Sequence, residues 1–226
     1  MSTVVLMGGN EFRQNCIPMD RELLKRIPRQ RPRVAIMPTA AQDAPDLAAR
    51  NGVRYFTGLG AAASAVMVID RAGANDPLYV AQLEGADMVY LVGGNPWHLL
   101  ESLRDSQMWA AIKVCWQAGC ILAGSSAGAM VLGGKMRTRS QSWVDALGLV
   151  SEIAVMPHYR RSEDAAIKEW RDSLPPEYVV LGIPEATACV SSGDEGNWSV
   201  VSADDVAVVS AGRIRHFAPG QRFDLK

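Results

Sequence analysis

A serine flanked by two glycines is the clearest candidate for chemistry in this sequence. In the segment CILAGSSAGAM, Ser126 has Gly124 two positions before it and Gly128 two positions after it. An apolar run precedes this G-x-S-x-G pattern, and small residues typical of a helix start follow it. A serine in such a tight strand-to-helix turn presents its hydroxyl as a nucleophile, and the glycines relieve backbone crowding. Moving the nucleophile to Ser125 would lose the glycine spacing, so we favour Ser126.

A nucleophilic serine needs a base within hydrogen-bonding distance, and histidine commonly provides it. His158 follows the apolar run IAVMP and precedes a helical pattern, so it lies at the carboxyl end of a predicted strand. The same edge of the sheet is expected to carry Ser126. His98, early in a predicted helix, and His216, in a late strand with basic neighbours, are interpreted as structural or surface residues. His158 is therefore the candidate base.

Hydrolysis by a serine also requires N–H donors that stabilise the oxyanion of the tetrahedral intermediate. The backbone N–H of Ala127 lies at the start of the helix that follows the serine. A second donor is expected from the glycine-rich loop LVGGN at residues 91–95, at the end of a neighbouring strand. Two consecutive glycines allow the backbone of this loop to turn an N–H inward.

Alternating strands and helices are predicted to position these residues. Short apolar runs typical of buried parallel strands occupy residues 4–7, 34–37, 65–69, 88–92 and 120–124. Helical patterns lie between them at about 20–27, 44–56, 77–84 and 97–118, the last broken near Asp105–Ser106. This order predicts an α/β fold with a mostly parallel sheet and helices on both faces. Small residues follow three of the strands, and these loops are expected to meet at one site; they contain Gly8–Gly9, Pro38–Thr39 and Gly93–Gly94.

The pattern changes after about residue 178. Short strands are predicted there, separated by Gly, Asp and Asn turns, with no helix among them. We interpret this part as an antiparallel β extension of the same sheet, within a single domain that covers 1–226. A small separate β-layer is the alternative.

Composition narrows the classes of partner. The 226 residues carry a net charge of -1, which gives no electrostatic basis for nucleic acid or an anionic membrane as the main partner. The N-terminus lacks the features of a signal peptide and no apolar run is long enough to span a membrane, so a cytoplasmic location is expected. The four cysteines are scattered and are predicted to be free thiols. Neither a metal nor an organic cofactor is implied, and a homodimer is left open.

Three motifs, in this order and spacing, resemble the peptidase E and cyanophycinase family of serine peptidases (S51): LVGGNPWHLLESLR, GSSAGAMVLG and WVDALGLV…MPHY. The resemblance is strong over about residues 87–160. It implies Ser126 as nucleophile, His158 as base, and Gly94 with Ala127 as oxyanion donors. The fold it implies is a flavodoxin-like sheet, similar to class I glutamine amidotransferases and different from the α/β-hydrolases.

The acid that would orient the histidine is where the sequence departs from peptidase E. That enzyme carries an aspartate in a polar loop after the nucleophile helix, but residues 137–141 (RTRSQ) contain no acid. The cyanophycinase branch uses a glutamate in the motif Gly-Ile-Asp-Glu-x-Thr-Ala, and residues 182–188 (GIPEATA) match it. The resemblance therefore implies Glu185 as the carboxylate that fixes the histidine tautomer. Asp145, in WVDALGL, is the alternative.

Substrate contacts are expected from one amide and three arginines. Guanidinium groups bind carboxylates, so an arginine near the site would hold an acidic side chain or the terminal carboxylate of a peptide. Met-Pro precedes His158, close to the Asn-Pro-His of peptidase E and unlike the Asp-Gln of cyanophycinase, which argues against cyanophycin as the substrate. The predicted function is a serine exopeptidase acting on short peptides, as a dipeptidase or a carboxypeptidase-like enzyme, with a preference for acidic residues. The candidate substrate-binding residues are Asn95, Arg160, Arg161 and Arg139.

Two other functions remain open at this point. An esterase of the α/β-hydrolase type would combine Ser126 with an acid such as Asp194 or Asp204 and with His216, in the chain order Ser…Asp…His. The chain is short for that class and lacks an HGGG-like oxyanion motif. The second alternative is a non-catalytic flavodoxin-like binding protein that keeps only the pocket.

Overall fold

Strands and helices alternate through the first half of the fold. The computed structural model describes residues 2–192, 197–210 and 212–225, and this part of the chain contains fourteen β-strands and seven α-helices. The strands are β1 (Thr3–Met7), β2 (Arg33–Met37), β3 (Ala62–Ala65), β4 (Met88–Leu91), β5 (Ile121–Ser125), β6 (Lys135–Arg137), β7 (Trp143–Asp145), β8 (Ile153–Pro157), β9 (Val179–Ile183), β10 (Thr187–Ser192), β11 (Trp198–Ser202), β12 (Val206–Ser210), β13 (Arg213–Phe217) and β14 (Arg222–Phe223). The helices are α1 (Ile17–Lys25), α2 (Pro45–Gly58), α3 (Pro77–Ala81), α4 (Pro96–Leu103), α5 (Gln107–Gln117), α6 (Ala127–Leu132) and α7 (Asp164–Asp172). Short 3-10 helices lie at Gln14–Cys16, Gly73–Asn75 and Arg161–Glu163.

The main sheet has eight strands in the order β14-β11-β10-β1-β5-β4-β2-β3. The five strands from β1 to β3 in this order run parallel to one another, whereas β10, β11 and β14 add an antiparallel edge next to β1. In the register of β1 with β5, Met7 lies beside Ser125, so both strands end at the same edge of the sheet. The prediction of a mostly parallel sheet is confirmed, and β10, β11 and β14 form the antiparallel extension that was predicted for the C-terminal part.

A second sheet takes up the remaining C-terminal strands, and here the extension predicted from the sequence is only partly right. The second sheet has four strands in the order β13-β12-β9-β8. Strands β8 and β9 are parallel, and the other neighbouring pairs are antiparallel. This sheet has its own packing against α7, through a cluster that includes Tyr159, Ile167 and Val180. These strands therefore form the separate β-layer that was the alternative. Strands β6 and β7 form a small third sheet.

Apolar clusters lie on both faces of the main sheet. One cluster contains buried leucines of α4 together with residues of α5 and α6, and another contains Leu23 of α1 and Phe56 of α2. A fully buried side chain of this size contributes about 1.5–3 kcal/mol to stability, so both helical layers are held by burial. None of the helices in the described ranges combines the length and apolarity that a membrane crossing requires.

The third predicted strand is displaced in the structure. Residues 65–69 were expected to form it, but β3 ends at Ala65. Val66 and Val68 are both fully buried although the strand has ended. The Val66 N–H still donates to the Ile36 carbonyl of β2 at 2.9 Å, whereas the Val68 N–H donates to the Val66 carbonyl at 2.8 Å, so the pairing with β2 stops there while the burial continues. The predicted break near residue 105 is confirmed, because Ser106 caps α5 by accepting a hydrogen bond from the Trp109 N–H.

A buried carboxyl group lies beneath the main sheet in α1. Asp20 is fully buried, and its Oδ2 accepts a hydrogen bond of 2.7 Å from the Tyr55 hydroxyl. Its Oδ1 has no hydrogen-bond partner among the described residues. Burial raises the pKa of Asp20 to about 7, and the nearby negative charge of Glu11 acts in the same direction. The neutral carboxyl is therefore the form that fits this environment.

We expect Asp20 to make the protein less stable as the pH rises. Between the ordinary carboxyl pKa of 3.8 and about 7, the folded protein retains a proton that the unfolded chain releases, so the free energy of unfolding falls across this window. Asp20→Asn should remove this dependence. The free energy of unfolding of the variant, measured relative to that of wild type, should therefore rise by more than about 1 kcal/mol between pH 4 and pH 8, since one pKa unit corresponds to about 1.4 kcal/mol. Urea unfolding at several pH values measures this. The exposed Asp43→Asn is the control, and a difference that stays constant with pH would contradict the expectation.

Candidate active site

Ser126 lies in the turn between β5 and α6, at the carboxyl edge of the main sheet. Its backbone has φ 48° and ψ −105°, a combination that few non-glycine residues adopt. The Ser126 N–H donates to the Met7 carbonyl at 3.0 Å, which ties the turn to the neighbouring strand. Strain of this kind persists only where the surrounding structure enforces it. The strand–turn–helix context predicted for this serine is present.

The glycine spacing around Ser126 has a steric cause. A Cβ on Gly124 would lie 2.4 Å from the carbonyl carbon of Gly128, and a Cβ on Gly128 would lie 2.5 Å from the Leu91 oxygen. These distances leave no room for a side chain at either position. The helix after the serine can therefore pack closely over β5 and β4 only because both positions are glycine.

A chain of hydrogen bonds joins the serine to an imidazole and a carboxylate. Ser126 Oγ lies 2.8 Å from His158 Nε2, and His158 Nδ1 lies 2.9 Å from Glu185 Oε1. Because a carboxylate only accepts hydrogen bonds, Nδ1 carries the hydrogen and Nε2 is free to accept the serine proton. Both side chains are about half exposed, 48% for His158 and 51% for Glu185. The part of the site formed by His158 and Glu185 is therefore open to solvent.

The loop after β1 holds the histidine and glutamate segments in place. The Gly8 carbonyl accepts a hydrogen bond of 2.8 Å from the His158 N–H, and the Gly9 carbonyl accepts one of 3.2 Å from the Ala186 N–H. A Cβ on Gly8 would lie 2.0 Å from the Pro184 oxygen, and a Cβ on Gly9 would lie 2.3 Å from His158 Cε1. Side chains are thus excluded at both positions. The second sheet meets the main sheet through this glycine pair.

Two backbone N–H groups beside Ser126 have no hydrogen-bond partner in the described part of the chain. They belong to Ala127, the first residue of α6, and to Gly94, in the loop after β4. Gly94 has φ +143° and lies against Ala40, whose oxygen would be 2.1 Å from an added Cβ. The N–H of Gly93 is already used, because it donates to Glu11 Oε1 at 2.8 Å. Of these two glycines, Gly94 is the one that can offer a donor.

Sequence reasoning missed Glu11. Its Oε1 accepts the hydrogen bond from Gly93, and its Oε2 accepts one of 2.7 Å from Ser125 Oγ. Ser125, the rival nucleophile, is therefore buried with its hydroxyl directed at a carboxylate. The available signal was the position of Glu11 just after Gly8–Gly9, in a loop already expected to reach the site.

The alternative acid lies in a different environment. Asp145 Oδ1 pairs with Lys135 Nζ at 2.7 Å, and 81% of the Asp145 side chain is exposed. This hydrogen bond lowers the pKa of Asp145. The carboxylate that contacts His158 is that of Glu185.

The four candidate substrate-binding residues have varied surroundings. Asn95 caps α4, its oxygen accepting from the Trp97 N–H at 3.1 Å, while its Nδ2 donates to Gln42. Arg161 forms an exposed ion pair with Asp205 at 3.5 Å. Arg160, two positions after His158, is exposed. Arg139, in the turn between β6 and β7, is also exposed.

The other histidines have partners away from the serine. His98 Nε2 lies 2.7 Å from the Ile69 carbonyl oxygen, and His216 Nε2 lies 3.2 Å from Asp164 Oδ2. The esterase alternative required His216 to reach Ser126, and that contact is not formed. Asp194, one of its candidate acids, lies outside the described residues.

The deciding observation is a match to the sequence model of one protein family. The model described as "Peptidase family S51" matches residues 4–198 of this chain. The chain belongs to peptidase family S51. This membership makes it a serine peptidase, a hydrolase of peptide bonds, and agrees with the resemblance found in the sequence motifs.

Curated relatives of this S51 peptidase include enzymes of both branches. A cyanophycinase of Geminocystis herdmanii is 26% identical over 200 residues, covering 80% of this chain and 73% of that protein. A peptidase E of Citrobacter koseri is 30% identical over 137 residues, covering 54% of this chain and 55% of that protein. The matched part of the chain therefore spans between about half and three quarters of these relatives.

Solved structures share the fold. A peptidase from an acI-B1 Actinobacterium superimposes with a TM-score of 0.86 at 25% identity, covering 99% of this chain and 97% of that chain. A putative peptidase E from Listeria monocytogenes gives a TM-score of 0.60 at 19% identity, covering 96% of this chain and all of that one. The α/β architecture is thus that of S51 peptidases.

We expect Gly9→Ala to disable this S51 peptidase without unfolding it. The new Cβ would collide with the His158 ring, and a displacement of about 1 Å at a reacting group can cost on the order of a hundredfold in rate. Measuring kcat/KM on short peptides together with the thermal unfolding midpoint tests this. The matched control is Gly60→Ala, which also has positive φ but faces open space, so it isolates backbone strain. Equal activity of both variants would contradict the expected collision.

Proposed function

We propose that this protein is a serine exopeptidase that cleaves short peptides through a Ser126–His158–Glu185 triad. The observation that carries the proposal is the continuous pair of hydrogen bonds, 2.8 Å and 2.9 Å, that links the three side chains. The strained turn at Ser126, flanked by glycines that admit no side chain, supports the same assignment.

In the proposed first step, Ser126 Oγ attacks the carbonyl carbon of the peptide bond while its proton passes to His158 Nε2. Glu185 accepts a hydrogen bond from Nδ1 and stabilises the imidazolium that forms. The carbonyl oxygen becomes an oxyanion, which receives hydrogen bonds from the N–H groups of Gly94 and Ala127. The position of Ala127 at the start of α6 adds the favourable end of the helix dipole.

In the second step the tetrahedral intermediate breaks its C–N bond. His158 returns the proton to the leaving amine, and an acyl group remains on Ser126 Oγ. Water then attacks this ester, giving its proton to Nε2, and the released serine takes a proton back. Half of the His158 side chain is exposed, so water reaches the base without any rearrangement of the site.

The preference for short peptides and acidic groups rests on the arginines beside the base. Arg160 lies two positions after His158 and is exposed, so its guanidinium is available to a carboxylate of the substrate. A carboxylate close to the scissile bond is found at the end of a peptide or on an acidic side chain. Arg161 and Arg139 are weaker candidates, since the former already pairs with Asp205 and the latter lies in a hairpin turn.

Digestion of a peptide library, read by mass spectrometry, tests this proposal. We expect removal of residues from one end of short peptides, faster when a carboxylate lies next to the scissile bond. Ser126→Ala should abolish the products, because it removes the attacking oxygen, while Ser125→Ala should retain measurable turnover. A fluorophosphonate probe should label Ser126 in the wild type. Internal cleavage of long substrates would contradict the exopeptidase proposal, and a fully active Ser126→Ala would overturn the triad.

The acid of the triad has its own test. Glu185→Gln should lower kcat by up to about 10⁴, because the amide favours the wrong histidine tautomer. Asp145→Asn is the matched control: it makes the same acid-to-amide change at a residue that pairs with Lys135 on the surface. Steady-state kinetics of both variants decide the assignment. If Asp145→Asn is the more damaging change, Glu185 is not the catalytic acid.

A further inference from the structure

Glu11 joins two parts of the site that are far apart in sequence. Its carboxylate accepts a hydrogen bond from the Gly93 N–H at 2.8 Å, in the loop that presents Gly94. It also accepts one from Ser125 Oγ at 2.7 Å, in the residue directly before the nucleophile. One side chain therefore bonds to both segments that would supply the oxyanion donors.

From this arrangement we propose that Glu11 is a positioning residue that sets the oxyanion hole, by fixing the loop after β4 relative to the turn at Ser126. The proposal rests on the triad mechanism above. Glu11 does not touch the reacting atoms; it acts through Gly93, directly before Gly94, and through Ser125, two positions before Ala127. Gly94 and Ala127 carry the two free N–H groups.

Close packing around Gly93 supports the proposal. A point at the Cβ position of Gly93 would lie 2.7 Å from Glu11 Oε1 and 3.3 Å from Ser126 Cβ. The peptide at Gly93 thus lies between the carboxylate and the nucleophile, with no room for a side chain. Without the carboxylate the Gly93 N–H would lose its partner, and the loop would lose the contact that fixes its distance from Ser126.

The hydrogen bond to Glu11 also determines which amide faces the substrate. Because the Gly93 N–H points to Glu11, the next peptide is turned so that the Gly94 N–H remains free. The φ of +143° at Gly94 is a conformation that a side chain would strain. Glu11 thereby maintains a backbone conformation in which consecutive N–H groups point to different partners.

Geometry rather than charge is the expected contribution of Glu11. A negative carboxylate near a developing oxyanion repels it, so the charge itself does not assist the reaction. A glutamine at this position would keep an oxygen acceptor for Gly93, and its amide group could donate to Ser125 Oγ. Glu11→Gln should therefore preserve the loop, whereas Glu11→Ala should release it.

The experiment compares wild type with Glu11→Ala, Glu11→Gln and the exposed control Glu22→Ala. We expect Glu11→Ala to lower kcat by about ten- to a hundredfold, less than the hundred- to thousandfold loss from removing an oxyanion donor outright. KM should change by less than about threefold. Affinity for a peptide boronate, which mimics the tetrahedral intermediate, and the rate of fluorophosphonate labelling should fall in parallel with kcat. The kcat of Glu11→Gln should lie within a few-fold of the wild-type value. The kcat of Glu22→Ala should equal the wild-type value.

Each outcome bears on one of the two proposals. An active wild type with an equally active Glu11→Ala overturns the positioning role alone, and so does a Glu11→Gln as impaired as Glu11→Ala, because charge would then be decisive. A wild type that neither cleaves peptides nor reacts with the probe overturns the triad, and the role of Glu11 with it. Thermal unfolding verifies folding of each variant. If Glu11→Ala does not fold, Glu11→Asp, too short to reach both donors, replaces it with the same expected loss.

Discussion

The contact of the Gly8–Gly9 backbone with the segments of His158 and Glu185 is the constraint on which the site depends. Ser126 belongs to the main sheet, whereas the histidine and glutamate follow β8 and β9 of the second sheet. The two sheets meet at the site through backbone hydrogen bonds of 2.8 Å and 3.2 Å made by this glycine pair. No side chain fits at either position, so the approach of the sheets is set by bare backbone. The same loop continues to Glu11, which hydrogen-bonds to Gly93 and to Ser125 beside the nucleophile.

Features encoded locally could be predicted from the sequence. The turn at Ser126 depends on glycines two residues away, and the alternation of apolar runs with helical patterns determines a mostly parallel sheet. His158 could be selected because its position after an apolar run places it at the correct edge. The 65–69 strand was misplaced for a physical reason: Val66 and Val68 remain buried where the pairing with β2 ends, and burial alone does not show where a strand stops.

Features that depend on contacts between distant segments could not be predicted in this way. Which C-terminal strands join the main sheet depends on pairing partners, and short, mostly buried strands occur in both sheets, such as β11 in the main sheet and β12 in the second. Glu11 and Ser125 are 114 residues apart in sequence, and neither residue type indicates their contact. Glu185 was found through a family motif rather than through spacing. The arginines were the least predictable, because a long charged side chain on the surface can adopt many positions before a substrate fixes one.

The division of the site between two sheets also affects when the enzyme becomes active during its own synthesis. Translation proceeds from the N-terminus, so Ser126 leaves the ribosome before His158, and Glu185 follows last. Strand β1, next to β5 in the centre of the main sheet, waits for β10 to cover its other edge. In the proposed triad, a nascent chain therefore carries the serine without its base until the C-terminal strands dock. The proposed mechanism thus implies that hydrolytic capacity arises only on completion of the fold.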